Sequence, residues 1–406
     1  MAFNYVERNP IPRMGLDEPY SFIRYNKNVI YKPQENTLEH FYHALDSLVA
    51  QKRKKVNIVH FGDSHIQADF WSDRIRNNFS QEAMFGNGGR GYIFPCSMIK
   101  STDPYNLKVS YTGTWQGTSN INISKNASWG LAGMVSQTTD SNATFTIDIN
   151  TRSIYKYKVS RVKVYYRTQD ATSYQVKLVL KDTTLYPQVL SSLGYAEFHF
   201  PATQDKITFQ LEKNYPMQNQ FVLEGLSFEN DEVGVQYHAV GVNGASVFSF
   251  LRSPKIEDHL QSLQPDLIII SLGTNDAYTT NFQDKTFKMN FAKLIQRIKK
   301  ACPQTSILLT TPGDCALAGG WNYNNQVAGK RILELADETN SAVWDLFTIM
   351  GGLGSVNKWL ANGLSAYDKV HLTGKGYRLQ GDLLYDALTQ DYAFYRFHQR
   401  NLTKKN

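Results

Sequence analysis

Residues 267–270 read Leu-Ile-Ile-Ile, and the run breaks off at "SLGTND". A strand turns its side chains alternately to two faces, so consecutive apolar residues demand cover on both. Sheets with one wet face do not ask for this; parallel sheets packed between helices do. The same texture recurs at "KVNIVHFGDSH" (55–65), "VGVQYHAVGVNGAS" (233–246), "TSILLTT" (305–311) and "AVWDLF" (342–347). Amphipathic stretches lie between these runs. "FKMNFAKLIQRIKKA" places Phe287, Phe291, Leu294, Ile295 and Ile298 at helical spacing, and "NQVAGKRILELADETN" and "GKGYRLQGDLLYDALTQDY" continue the pattern. An earlier helix is predicted over 37–53. Alternating strand and helix predict an α/β fold: a doubly wound parallel sheet with helices on both faces.

One long segment breaks the alternation. From 104 to 230 short runs alternate polar and apolar residues, as in "ATFTIDI", "SRVKVYYRT", "YQVKLVLKD" and "DKITFQLE". Period-two patterning between turn residues predicts an inserted antiparallel β-sandwich of roughly seven to nine strands. The expected domains are therefore a discontinuous α/β part (1–100 and 232–406) and an insertion (104–230). Trp115, Trp129, Tyr165 and Tyr166 of the insertion either stack on a glycan or fill the sandwich core, and core filling is the commoner role of such rings.

Composition narrows the function classes. The net charge of +7 is dispersed, which suits an acidic polymer better than nucleic acid. Cys96, Cys302 and Cys315 are far apart and have neither disulfide-framework nor metal-site spacing. No apolar run reaches the length of a membrane span. The first ten residues, "MAFNYVERNP", contain no signal-peptide core, as expected of a cytoplasmic chain or of one whose leader has been removed.

Four polar loops sit where a doubly wound sheet gathers ligands, at the carboxyl ends of its strands or before the last helix. They are "GDSH" (62–65), "GVNGAS" (241–246), "GTND" (273–276) and "YDKVHLTGKGY" (367–377). Together they hold what acyl transfer needs. Ser64 offers a nucleophile, His371 a base, and Asp368 an orienter for the base. The N–H groups of Ser64 and Gly241 and the Asn275 amide can receive an oxyanion. Asp63 and His65 shape the turn around Ser64, and His60 belongs to the same neighbourhood. Asn243, Gly244 and Asp276 are further members of these loops. The Gly-dense stretch "FGNGGRGYIFP" (85–95) lacks a Gly-Lys-Ser/Thr ending, so nucleotide binding is not expected. Gly88, Gly89 and Gly91 are assigned instead to the wall of the substrate cleft. No metal and no cofactor is called for.

These four blocks resemble those of the SGNH/GDSL hydrolases, named for Ser, Gly, Asn and His. "GDS" matches the first block, "GVNG" the second, "GTND" the third and "DKVH" the last. The resemblance implies Ser64 as nucleophile, Asp368–His371 as base, and an oxyanion hole of Ser64, Gly241 and Asn275; Gly244 is the alternative glycine. The Gly-rich stretch, the insertion and "DLFTIMGG…W…DKVHLTGKGY" resemble bacterial peptidoglycan O-acetylesterases, which carry a carbohydrate-binding-module-like sandwich here. That likeness implies removal of the 6-O-acetyl group of N-acetylmuramic acid, an acetylated glycan as partner, and a periplasmic or envelope location. The same blocks serve acetylxylan esterases and acyltransferases. A glycan-binding protein with a vestigial site is the non-enzymatic reading.

Overall fold

The computed structural model describes residues 20–153 and 155–403. Its parallel sheet has the spatial order Ile30–Tyr31, Ala342–Trp344, Ser306–Thr310, Leu267–Ser271, Lys55–Gly62, Gly234–Gly241. The last five run parallel, and Ile30–Tyr31 adds an antiparallel edge. After that edge strand the chain lays down Lys55–Gly62 and adds Gly234–Gly241 on one side. It then crosses to Leu267–Ser271 and winds outward on the other. The winding direction therefore reverses around Lys55–Gly62, and such a switch point leaves a crevice above the carboxyl ends of the strands.

The Leu267–Ile270 run does what its composition demands. Ile268 and Ile270 join a core cluster with Phe250, Leu260, Phe291 and Ile295, whereas Leu267 and Ile269 face Leu45, Ile75 and Leu384 in a second cluster. Both faces are thus roofed by helices. Glu39–Val49, Phe70–Gln81 and Gly374–Thr403 cover one, and Ile256–Leu263, Asp284–Ala301 and Tyr323–Thr339 the other.

The segment between the first two parallel strands folds into two antiparallel sheets, one of five strands and one of seven. Among the described residues, eleven strands lie between Lys108 and Glu229, more than the sequence pattern predicts. The surplus comes from short pieces such as Thr184–Leu185 and Val189–Ser191, too brief to display a period. The two sheets share an apolar interior in which Phe145 and Phe209 stack at 4.5 Å. Trp129, Tyr165 and Tyr166 are buried, and Trp115 packs edge-on against Phe145 and Phe221. Trp115 and Tyr166 fill the sandwich, whereas Tyr165 faces the other way onto His259 and Ser262 of the Ile256–Leu263 helix, and Trp129 packs with Val135 and Val222 in a separate cluster.

Gly91–Ile93 pairs with Phe221–Glu229 and so joins the seven-stranded sheet, although the sequence reading places it in the α/β part. Asp69, Asp73, Arg76 and Arg90 form a buried ion cluster at this junction, where Tyr157 of the insertion donates to Asp73. Buried charges of this kind are tolerated only when paired.

Candidate active site

The Lys55–Gly62 strand ends under a tight helical turn, Ser64–Gln67, that doubles back over the strand end. A Cβ on Gly62 would lie 2.2 Å from Ile66 Cγ1, and one on Gly241 would lie 2.0 Å from the Gln67 nitrogen. Glycine at both neighbouring strand ends lets the turn sit directly on the sheet rim. Asp63 caps the turn by accepting from the His65 N–H at 3.0 Å. Asp69, with φ +62°, separates this turn from the Phe70–Gln81 helix.

Ser64 Oγ stands 2.9 Å from His371 Nε2, and His371 Nδ1 stands 2.7 Å from Asp368 Oδ2. Residues 307 positions apart are thereby brought together. The other Asp368 oxygen accepts from the N–H groups of Val370 and His371 at 2.9 and 3.0 Å. Partial burial opposes ionisation of Asp368, but the bonds from His371 and Val370 outweigh it and hold its carboxyl below the usual range. An ionised Asp368 fixes the His371 proton on Nδ1 and leaves the Nε2 lone pair toward Ser64.

His65 lies beside this pair, its ring 5.3 Å from that of His371 and its Nδ1 2.7 Å from the Tyr377 hydroxyl. Burial pushes the His65 pKa down. A neutral neighbour leaves room for positive charge to develop on His371. His60 is engaged by Tyr237 and Ser271, both at 2.6 Å, and burial lowers it to about 3.

Two of the expected oxyanion donors have other contacts in this structure. Asn275 gives its two amide hydrogens to Asp63 Oδ2 and Ala245 O, each at 3.0 Å, so it braces the first and second loops against each other. Gly241 is buried beneath the backbone of Ile66 and Gln67, while Gly244, with φ +78°, is the exposed glycine of that loop. Asn243 donates its N–H to Gln67 Oε1 at 2.7 Å. Asp276 accepts from the Val247 N–H; burial, with the Asp63 charge adding to it, raises its pKa to about 7.

Gly88, Gly89 and Gly91 pack along the Phe221–Glu229 and Gly234–Gly241 strands, away from the Gly241 end. Gly88 donates to Val235 O, and a Cβ on any of the three would strike the backbone of Phe228, Val235, Gln236 or Tyr237. They let this segment run close along the Gly234–Gly241 strand. Val235 pairs with Val56, at the opposite end of the strand from Gly62. Six residues of strand put that end about 20 Å from Ser64. Gln67 and Tyr377, by contrast, touch predicted site residues and went unremarked in the sequence. A lone Gln on a helical turn and a Tyr in an amphipathic helix carry no signal of their own.

Residues 213–379 match the model of the GDSL-like lipase/acylhydrolase family. They hold Asn275, Asp368 and His371 in the loops just described. Over these residues the chain is similar to the GDSL-like acylhydrolases. By class the chain is a carboxylic ester hydrolase. The match begins after most of the insertion, so Ser64 lies outside it and is joined to the acylhydrolase residues by the fold. No curated protein matches the chain. A solved peptidoglycan O-acetylesterase superposes with a TM-score of 0.74 and 21% identity, covering 90% of this chain and 99% of that chain. The likeness therefore extends over both the α/β part and the antiparallel sheets. An acetylxylan esterase from Geobacillus stearothermophilus gives a TM-score of 0.30 at 19% identity, over 40% of this chain and 74% of that one. A family two carbohydrate esterase from Cellvibrio japonicus gives 0.30 at 12% identity, over 71% and 99%.

Proposed function

We propose that this acylhydrolase is a serine acetylesterase that removes O-acetyl groups from a polysaccharide, with peptidoglycan the first candidate. The observation that carries the reading is the Ser64–His371–Asp368 relay. Its two hydrogen bonds are both within the range of a nucleophile–base pair and an oriented base. Peptidoglycan is favoured because the two-part architecture matches that of a peptidoglycan O-acetylesterase over 99% of its length. Action on that substrate would place the protein in the periplasm or cell envelope.

In this mechanism His371 Nε2 takes the Ser64 proton as Oγ attacks the acetyl carbonyl. Asp368 remains ionised and stabilises the imidazolium. The oxyanion forms against the Ser64 N–H and the Gly244 N–H. The Asn275 amide joins them by exchanging one of its present acceptors for the oxyanion. His371 then protonates the departing sugar oxygen, leaving an acetyl ester on Ser64. A water that gives its proton to His371 releases acetate and restores Ser64.

The test is acetate release from O-acetylated peptidoglycan, run beside acetylated xylan and with Ser64→Ala as control. Release from peptidoglycan that is lost in Ser64→Ala is the expected result. Preference for xylan would move the substrate to another polysaccharide. Full release by Ser64→Ala would overturn the mechanism.

A further inference from the structure

Most large aromatic side chains of this protein are buried, but four exposed rings flank His371 on connected segments. Tyr367 is 95% exposed and directly precedes Asp368. Trp321 and Tyr323 are 56% and 59% exposed, with ring centroids 6.3 Å apart. Tyr278, 45% exposed, caps the short helix Thr274–Ala277 that carries Asn275.

Hydrogen bonds tie these segments into one bank. The hairpin Ala316–Leu317 and Gly320–Trp321 pairs Ala316 with Trp321, and the Ala316 N–H donates to Lys369 O, between Asp368 and His371. Asn324, one residue beyond Tyr323, donates to Ala277 O at 3.2 Å and Thr279 O at 2.6 Å, on either side of Tyr278. The Trp321 indole rests over Gly354, where an added Cβ would come within 3.4 Å of the ring. The rings therefore stand on braced backbone.

Single exposed aromatics are ordinary; four on adjoining segments beside a reaction centre are a surface with a ligand. Tyr and Trp present an apolar face and a polar edge. A pyranose is built the same way, with a C–H face and a rim of hydroxyls. Building on the reading of this site as a polysaccharide acetylesterase, we propose that Tyr278, Trp321, Tyr323 and Tyr367 form a sugar-stacking bank for pyranose units next to the acetylated one. The insertion, whose Trp115 packs on Phe145 and Phe221 and whose Trp129 is buried under Arg252, is not needed for this grip.

The experiment compares kcat/KM on O-acetylated glycan strands with that on p-nitrophenyl acetate, which has no neighbouring sugar. Trp321→Ala and Tyr367→Ala should each lower the polymer-to-small-ester ratio at least about fivefold, mainly through KM. Tyr186→Ala, an exposed ring on the insertion, serves as control and should keep the ratio. An unchanged ratio in both bank variants, or an equal fall in Tyr186→Ala, overturns the proposal. A larger loss on p-nitrophenyl laurate than on glycan also overturns it, because the bank would then serve an acyl tail. Pelleting with de-acetylated peptidoglycan separates this proposal from the catalytic one. Ser64→Ala should still pellet and Ser64→Ala/Trp321→Ala should pellet less, whatever the esterase assay gives. Failure of Ser64→Ala to pellet, or equal pelleting of the two, counts against the bank alone.

Discussion

The parallel sheet and the inserted sandwich both use strands and aromatic side chains, and they use them in opposite ways. Each parallel strand must be followed by a crossover before the next can pair, so the loops after Gly62, Gly241 and Ser271 leave from one rim. Ser64, Gly244 and Asn275 stand there, and the loop before the last helix adds Asp368 and His371. The antiparallel sheets send their loops to both ends and spend Phe145, Phe209 and Tyr166 on their interior. Topology thus concentrates chemistry in one region and stability in the other.

The comparison breaks most sharply at Ser64. Ser64→Ala should lower kcat by roughly 10⁴-fold or more while the melting temperature stays close to that of the parent. Turnover measured on well-folded protein checks this. The sandwich should behave in the reverse manner. Phe209→Ala removes one of two stacked core rings and should destabilise the protein by about 3–5 kcal/mol in denaturant titration. The fraction that remains folded should keep its kcat. A catalytic defect in that fraction would mean the insertion shapes the crevice after all.

Asn275→Ala tests a residue on the border between the two behaviours. It should cost on the order of 10²–10³ in kcat, as loss of an oxyanion donor does. Because Asn275 also bonds Asp63 and Ala245, the melting temperature should fall too. A loss in kcat with no fall in melting temperature would assign it to the oxyanion alone.

A pH-dependent effect concerns Asp276, whose pKa is raised to about 7 in the folded chain by burial and by Asp63. The folded state then binds more protons than the unfolded state from about pH 4 to pH 7, so this group's contribution falls as pH rises through that window. Asp276→Asn should raise the melting temperature at pH 8 relative to the parent and leave it nearly unchanged at pH 4. An equal shift at both pH values would contradict the protonation argument.

Much of this was legible in the sequence. Leu267–Ile270 announced a strand buried on both faces, and the polar loops that close such strands marked one rim. What the sequence left open was which backbone passes beside which. Gly88, Gly89 and Gly91 read as the wall of a cleft until the Gly234–Gly241 strand is seen against them. Gly241 and Gly244 are indistinguishable as letters. In the fold one lies under the Ser64 turn and the other on the surface. The role of Asn275 as a brace depends on Ala245 and Asp63 meeting in space, and the four rings of the bank are scattered from 278 to 367.

The most direct test of the central claim is mass spectrometry of the protein quenched during turnover of an activated acetyl ester. The account predicts a mass increase of one acetyl group, located on the peptide that contains Ser64 and absent from Ser64→Ala. An acetylated peptide elsewhere, or full turnover by Ser64→Ala with no adduct in either protein, would contradict it.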